Sequence, residues 1–253
     1  MGGMHDTNPP PPLPRRLLDA AHAQANHRLY GFELDGKKYF VKRLEQHRTW
    51  RARLMKGDPA RAMAREIALL KAFSHRGAPV PQIVAQDDTC FIMNDCGPPI
   101  NHPAVANAAP EVIWRAVGTA LAKLHALGLV HGRPAMRDMC WDGQKITFLD
   151  LEAGAKVKAS TQDMTRDVIV LVHSILREGT QHPQAAALFQ AAYQESDTLG
   201  VWDACLIRAR RLWWVEWVIA PVVLWHRWNR VARSEFAAVR PTRKFLLSQN
   251  QPE

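Results

Sequence analysis

The chain has 253 residues, 47% of them hydrophobic and 23% charged, a composition that gives a globular protein with a full core and excludes a disordered or fibrous one. Thirty-three Lys and Arg against 24 Asp and Glu leave a formal charge of +9, so an anionic partner is expected: nucleic acid, nucleotide or a membrane surface. Cys90, Cys96, Cys140 and Cys205 stand apart, with no CxxC pair and no His at zinc-finger spacing, which argues against a disulfide framework and a structural metal and for a reducing, cytoplasmic setting.

The opening residues Met1 to Asp6 lack the basic, apolar and small-residue order of a secretory signal. Thr7 to Pro14 reads TNPPPPLP and is expected to be an extended leader, within a segment 1–27 that also holds a first helix. Leu29 to Leu34 and Lys37 to Leu44 are alternating runs joined at Asp35-Gly36, a hairpin signal. Pro59 to Phe73 carries Met63, Ile67, Leu70 and Phe73 at helical spacing behind an initial proline. Two strand-like runs follow, Pro81 to Ala85 and Thr89 to Met93, broken at Asp87-Asp88.

Beyond Gly97-Pro98-Pro99, Glu111 to Leu127 is predicted as a long amphipathic helix stopped by Gly128. Asp138 to Trp141 and Lys145 to Leu149 form a second hairpin around Asp142-Gly143. From Met164 onward the pattern is helical, with Arg166-Asp167 opening an apolar helix over Val168 to Leu176. The order of elements implies an α+β protein: a small β-rich lobe over 28–96 and a larger, mainly helical lobe over 97–205, with a crevice between them.

Residues 206–253 form a basic, tryptophan-rich helical tail. Over 206–245, Arg208, Arg210, Arg211, Arg227, Arg230, Arg233, Arg240, Arg243 and Lys244 are opposed only by Glu216 and Glu235. Trp213, Trp214, Trp217, Trp225 and Trp228 lie among them. Indole rings between arginines suit a membrane interface with anionic lipid; the plainer reading is a pair of helices with Trp in the core and Arg in water. Nucleic acid is a third possibility without a recognisable module. The apolar stretch Leu212 to Trp225 contains Glu216 and Pro221 and is shorter than the roughly 20 residues that span a bilayer. His125 and His173, on helical stretches, are read as packing or surface residues.

Several residues at the ends of these elements resemble the protein kinase-like fold, in its bacterial lipopolysaccharide-kinase, aminoglycoside-phosphotransferase and RIO branches. Tyr39-Phe40-Val41-Lys42 resembles the VAIK strand, and Glu66 stands where the family's glutamate pairs with that lysine. His131-Gly132-Arg133 through Asp138 to Asp150-Leu151-Glu152 resembles the HGDxxxxN catalytic loop and the DFE form of the DFG motif, without a gap. Asp167 resembles the residue that anchors that loop. Met93 to Gly97 resembles the hinge, which puts Asp95 and Cys96 beside the adenine.

The resemblance implies a two-lobed kinase that uses ATP and Mg²⁺ to phosphorylate an alcohol of an envelope saccharide or glycolipid such as the lipopolysaccharide core. It implies that Lys42 contacts nucleotide phosphates, that Glu66 orients Lys42, and that Asp138 and Asp150 hold the metal, with Asp138 in place of the usual Asn. The chain departs from the family at Arg133, which stands where the catalytic Asp belongs. An arginine is always protonated and cannot accept a proton, so its implied role is to stabilise transferred charge, with Glu152 or Asp142 as substitute bases. Leu29 to Lys38 also lacks a GxGxxG loop. A pseudokinase that binds nucleotide and acts as a scaffold is the alternative.

Overall fold

The computed structural model describes residues 11–24, 27–44, 58–106, 110–151, 154–178, 183–229 and 235–248. Thr7 to Pro10, Glu152, Arg230 and Arg233 lie outside them. The chain divides into two compact units, Met1–Lys71 with Pro81–Asp95, and Ala72–Val80 with Cys96–Glu253.

In the first unit, strands β1 (Leu29–Leu34) and β2 (Lys37–Arg43) meet at Asp35 and Gly36, whose φ angles of 53° and 71° match the expected hairpin turn. Strands β3 (Ile83–Gln86) and β4 (Cys90–Asn94) complete an antiparallel sheet in the order β1-β2-β4-β3. The Asp87 carboxylate shapes the β3–β4 turn by accepting the amides of Thr89 at 2.7 Å and Cys90 at 2.9 Å.

Helix α1 (Leu13–Ala23) covers one face of this sheet. Leu17 and Ala21 pack there with Phe32, Tyr39, Val41, Ala85, Cys90 and Ile92. Tyr30 donates its hydroxyl to the Ala21 carbonyl at 2.5 Å, and Arg43 reaches the same oxygen at 2.8 Å. The helix begins inside the proline tract, which corrects the extended reading over 13 and 14. A proline in the first helical turn loses no hydrogen bond, because that amide has no partner in the helix. Along β2 side chains alternate, so with Tyr39 and Val41 turned to the α1 face, Lys42 points to the other.

Helix α2 (Pro59–His75) buries Met63, Glu66, Leu70 and Phe73 at three- and four-residue spacing, which places a carboxylate in an otherwise apolar row.

The second unit is built on α3 (Pro110–Ala126), α4 (Thr161–Glu178), α5 (Ala185–Ser196), α6 (Val201–Arg211), α7 (Val215–Trp228) and α8 (Val239–Ser248). Gly118 lets α3 and α5 touch at the backbone, since a Cβ there would lie 2.3 Å from the Phe189 carbonyl oxygen. Leu121, Leu124, Val168, Leu171, Phe189 and Tyr193 are buried in this helical layer. An apolar cavity of about 250 Å³ lies among α4, α6 and α8, lined by Ile169, Val170, Ala209, Val239 and Leu246, with His173, Thr242 and Arg243 as its polar members.

Helix α4 starts earlier than the sequence pattern suggests. Ser160 and Asp163 form a reciprocal cap: the Asp163 amide donates to Ser160 Oγ at 3.2 Å, and the Ser160 amide donates to Asp163 Oδ2 at 3.1 Å. The hairpin β5 (Met139–Trp141) and β6 (Ile146–Phe148) pairs Met139 with Phe148 and Trp141 with Ile146. Among the described residues, no helix is long and apolar enough to cross a membrane.

Candidate functional site

Lys42 and Glu66 meet in the first unit, Nζ to Oε1 at 2.5 Å, with side chains 17% and 5% exposed. Strand alternation delivers the ammonium and the buried row of α2 delivers the carboxylate. A charged pair so poorly solvated is held by mutual attraction and hydrogen bonding together.

The second unit carries the loop. Helix α3 stops at Gly128 (φ 67°), and Val130 bridges to Lys156. The next two amides turn inward onto one carboxylate: His131 N–H donates to Asp167 Oδ2 at 2.7 Å and Gly132 N–H to Oδ1 at 2.8 Å. Asp167 is wholly buried and sits in the second turn of α4, so it does not open that helix. His125 Nε2 lies 3.6 Å from Asp167 Oδ2, and its Nδ1 is 2.6 Å from the Tyr193 hydroxyl. His125 is thus a buried packing residue, as expected from the sequence.

Gly132 has φ +94°, and a Cβ there would lie 2.3 Å from the Gly154 carbonyl carbon. The His131 ring stacks edge-on against Phe148 and donates from Nε2 to the Leu149 carbonyl at 2.7 Å. Farther along, the Met136 amide donates to Ser174 Oγ at 3.2 Å. Nothing in the sequence pattern marked Ser174, because its role depends on α4 packing against a non-repetitive loop.

A short 3₁₀ turn, Met136–Asp138, ends the loop. The Leu149 amide donates to the Asp138 carbonyl at 2.7 Å, which ties the backbones bearing Asp138 and Asp150 together. Asp150 is held at φ +58°, a left-handed conformation uncommon for a residue with a side chain and costly without surrounding support. Burial pushes the Asp138 carboxyl above its ordinary range, and the negative charge of Asp150 pushes the same way against His131 and Arg137. Carboxylates are hard oxygen donors, the type that suits a divalent cation.

Arg133 is more than half exposed, with Nη2 4.0 Å from Glu235 Oε1. The same oxygen accepts a hydrogen bond from Arg177 Nη1 at 2.9 Å. No local pattern marks Glu235, in the tail, as a residue that returns to the loop. Asp142 Oδ1 accepts the Gln144 and Lys145 amides, both at 2.9 Å, which makes it the turn residue of the β5–β6 hairpin. Asp95 donates its amide to the Lys38 carbonyl at 3.2 Å, and Cys96 is buried at the start of the second unit. Beyond it, Ile100 N–H bonds the Met139 carbonyl at 2.9 Å and Trp141 N–H the Pro98 carbonyl at 3.0 Å, so the segment after Cys96 runs along β5. Lys42 and Glu66 are therefore brought together in one unit, while the second carries Arg133 beside Glu235 and, separately, the joined segments of Asp138 and Asp150.

A solved structure described as WaaP in complex with acyl carrier protein is 16% identical, with a TM-score of 0.46, and covers 78% of this chain and 92% of that one. An uncharacterized protein of Haemophilus influenzae is 30% identical over 205 residues, spanning 78% of this chain and 82% of its own length. The model of the phosphotransferase enzyme family matches residues 27–227. That match runs through the first sheet, the loop and the helical layer, and with it the chain belongs to the phosphotransferase enzyme family of the protein kinase-like superfamily.

Proposed function

We propose that the protein transfers the γ-phosphate of ATP to an alcohol of an envelope saccharide or glycolipid, such as the lipopolysaccharide core, at the inner face of the cytoplasmic membrane. The alcohol oxygen bonds to the γ-phosphorus, the bond to the β–γ bridging oxygen breaks, ADP leaves, and the alcohol proton passes to solvent. The observation that carries this reading is the joined pair of carboxylate-bearing segments, Asp138 to Asp150, on a loop pinned by Asp167.

In this reading residues 28–96 receive the nucleotide, with Lys42 on the phosphates, Glu66 holding Lys42, and Asp95 and Cys96 beside the adenine. Residues 97–205 carry the loop, and Asp138 and Asp150 hold Mg²⁺, which when bound neutralises charge on the phosphate oxygens. Arg133 stabilises charge on the transferred group. The basic, tryptophan-rich tail supports a peripheral place at a membrane.

A second reading follows from Arg133 itself. A permanently protonated side chain where the base belongs fits a pseudokinase that binds nucleotide and regulates a partner. One experiment separates the two: incubation of the protein and its Asp150→Ala variant with γ-labelled Mg·ATP and a bacterial envelope extract. Label entering a saccharide or glycolipid fraction only with the intact protein supports the kinase. Nucleotide binding that is lost in Asp150→Ala, without any transfer, refutes it in favour of the scaffold.

A further inference from the structure

The outer side of α7 is a row of aromatic and aliphatic side chains left in water. Trp214, Trp217, Val218, Trp225 and Trp228 recur at intervals of three, four and seven residues, within an arc of about 100° on a helix of 3.6 residues per turn. Trp217 is 74% exposed and Trp228 is 88% exposed. This excludes the reading in which these tryptophans fill the core. The helix is nevertheless seated on its other side: Glu216 pairs with Arg243 at 2.9 Å and with Arg240 at 3.7 Å, and Val215, Ile219 and Val223 are partly covered. A contiguous exposed patch of this kind marks a surface that meets something apolar.

The flanks say what that partner is. Arg210 and Arg211 end α6 immediately before the row and are both exposed, so cations stand at the start of the aromatic strip. Indole rings beside arginines match a bilayer surface, where rings settle at headgroup depth and guanidinium groups meet lipid phosphate. Fourteen residues of helix extend about 21 Å, short of the roughly 30 Å hydrocarbon core, so α7 must lie in the plane of the surface and cannot cross it.

We propose that the outer face of α7 docks the protein on an anionic phospholipid bilayer, with Trp217, Trp225 and Trp228 inserted at the interface and Arg210 and Arg211 on the phosphates. The inference rests on the envelope-acceptor reading for the identity of the membrane, but its test requires no phosphate transfer. The full chain is sedimented with vesicles of phosphatidylethanolamine and phosphatidylglycerol, and with vesicles of phosphatidylcholine alone.

The wild type should pellet with the anionic vesicles and be released by salt. Trp217→Ala/Trp225→Ala/Trp228→Ala should bind on the order of tenfold more weakly while keeping its circular dichroism, because all three rings are more than half exposed. Arg210→Gln/Arg211→Gln keeps every ring and should lose about fivefold per arginine. A wild type that stays in the supernatant, or a triple variant that pellets as well as the wild type, would overturn the proposal. So would tryptophan-dependent self-association in sedimentation equilibrium without vesicle binding, which would assign the face to a second copy of the chain. Failure of phosphate transfer alongside intact vesicle binding would count against the kinase and leave the docking face standing.

Discussion

Replacing Asp167 by Asn tests whether one buried carboxylate sets the loop. Its two oxygens accept the amides of His131 at 2.7 Å and Gly132 at 2.8 Å, and no part of the side chain reaches solvent. An amide of the same size can accept only one of these; its NH₂ then faces the other N–H, which is left buried and unpaired. One orphaned donor costs about 1–3 kcal/mol. For a chain of this length that lowers Tm by about 2–12 °C. Asp167→Ala orphans both amides and leaves a void, so it should cost clearly more than Asp167→Asn. Thermal unfolding followed by circular dichroism measures both. Under the kinase reading, transfer activity measured well below Tm should also fall, because the freed amides begin the loop that carries Arg133 and Asp138. An Asn variant that melts within a degree of the wild type, or one as damaged as Ala, would refute the two-amide account.

Gly132→Ala and Gly143→Ala both place a side chain at positive φ, but only the first drives a Cβ into backbone, 2.3 Å from the Gly154 carbonyl carbon, while nothing lies within 4 Å of the second. Equilibrium denaturation should show Gly132→Ala losing at least about 2 kcal/mol and Gly143→Ala about 1 kcal/mol; equal losses would contradict the contact. Glu66→Gln keeps the shape of the Lys42 partner and removes its charge, so the KM for ATP should rise about tenfold in a steady-state assay, the worth of one charge-assisted hydrogen bond. An unchanged KM would remove Glu66 from the nucleotide site. Burial, and then the Arg177 charge, hold the His173 imidazole below its ordinary value of 6.5, so the folded state binds fewer protons than the unfolded one. Stability from this group is full above 6.5 and is lost as the pH falls, and His173→Gln should flatten that slope in pH-dependent melting curves. All four cysteines are buried thiols outside any disulfide, and desolvation pushes the Cys205 thiol up to about 12. A disulfide reagent should therefore react slowly with the native protein and with all four thiols once it is unfolded in guanidinium.

What could be read from the sequence was whatever local chemistry decides. Asp35-Gly36 and Asp142-Gly143 named both hairpins because only such residues accept the left-handed turn, and Pro59 and Gly128 marked helix ends for equally local reasons. Lys42 and Glu66 were expected to pair only through their resemblance to the VAIK strand and its glutamate, because neither carries a local signature of its partner. The start of α4 was missed because its cap, Ser160 with Asp163, precedes the apolar run that draws the eye; the shift moves Asp167 off the helix terminus, so its charge serves the loop amides and not the helix dipole. The tail tryptophans were undecided because spacing defines a face without saying what covers it. Glu235 could not be foreseen at all, since an isolated acid in a basic tail has no local signature of where the chain returns.

Glu235 bears directly on the residue that departs most from the family. Arg177 holds its Oε1 tightly at 2.9 Å, while Arg133 stands 4.0 Å from the same oxygen and more than half exposed. Arg177 also pairs with Glu178 at 3.4 Å, and Arg133 has the weaker hold on the carboxylate they share. Exposed ion pairs of this looseness contribute about 0–1 kcal/mol, so Arg133 can exchange Glu235 for a stronger anion at little cost. A phosphate oxygen is such an anion, and it can take both arms of the guanidinium at once. Under the kinase reading the substitution therefore moves the loop's contribution from proton acceptance to charge stabilisation, which is the larger need in phosphoryl transfer. Glu235→Gln removes the competitor and should tighten phosphate binding at Arg133, whereas Arg133→Ala should weaken transfer; if both variants left transfer unchanged, Arg133 would have no part in it and the scaffold reading would gain.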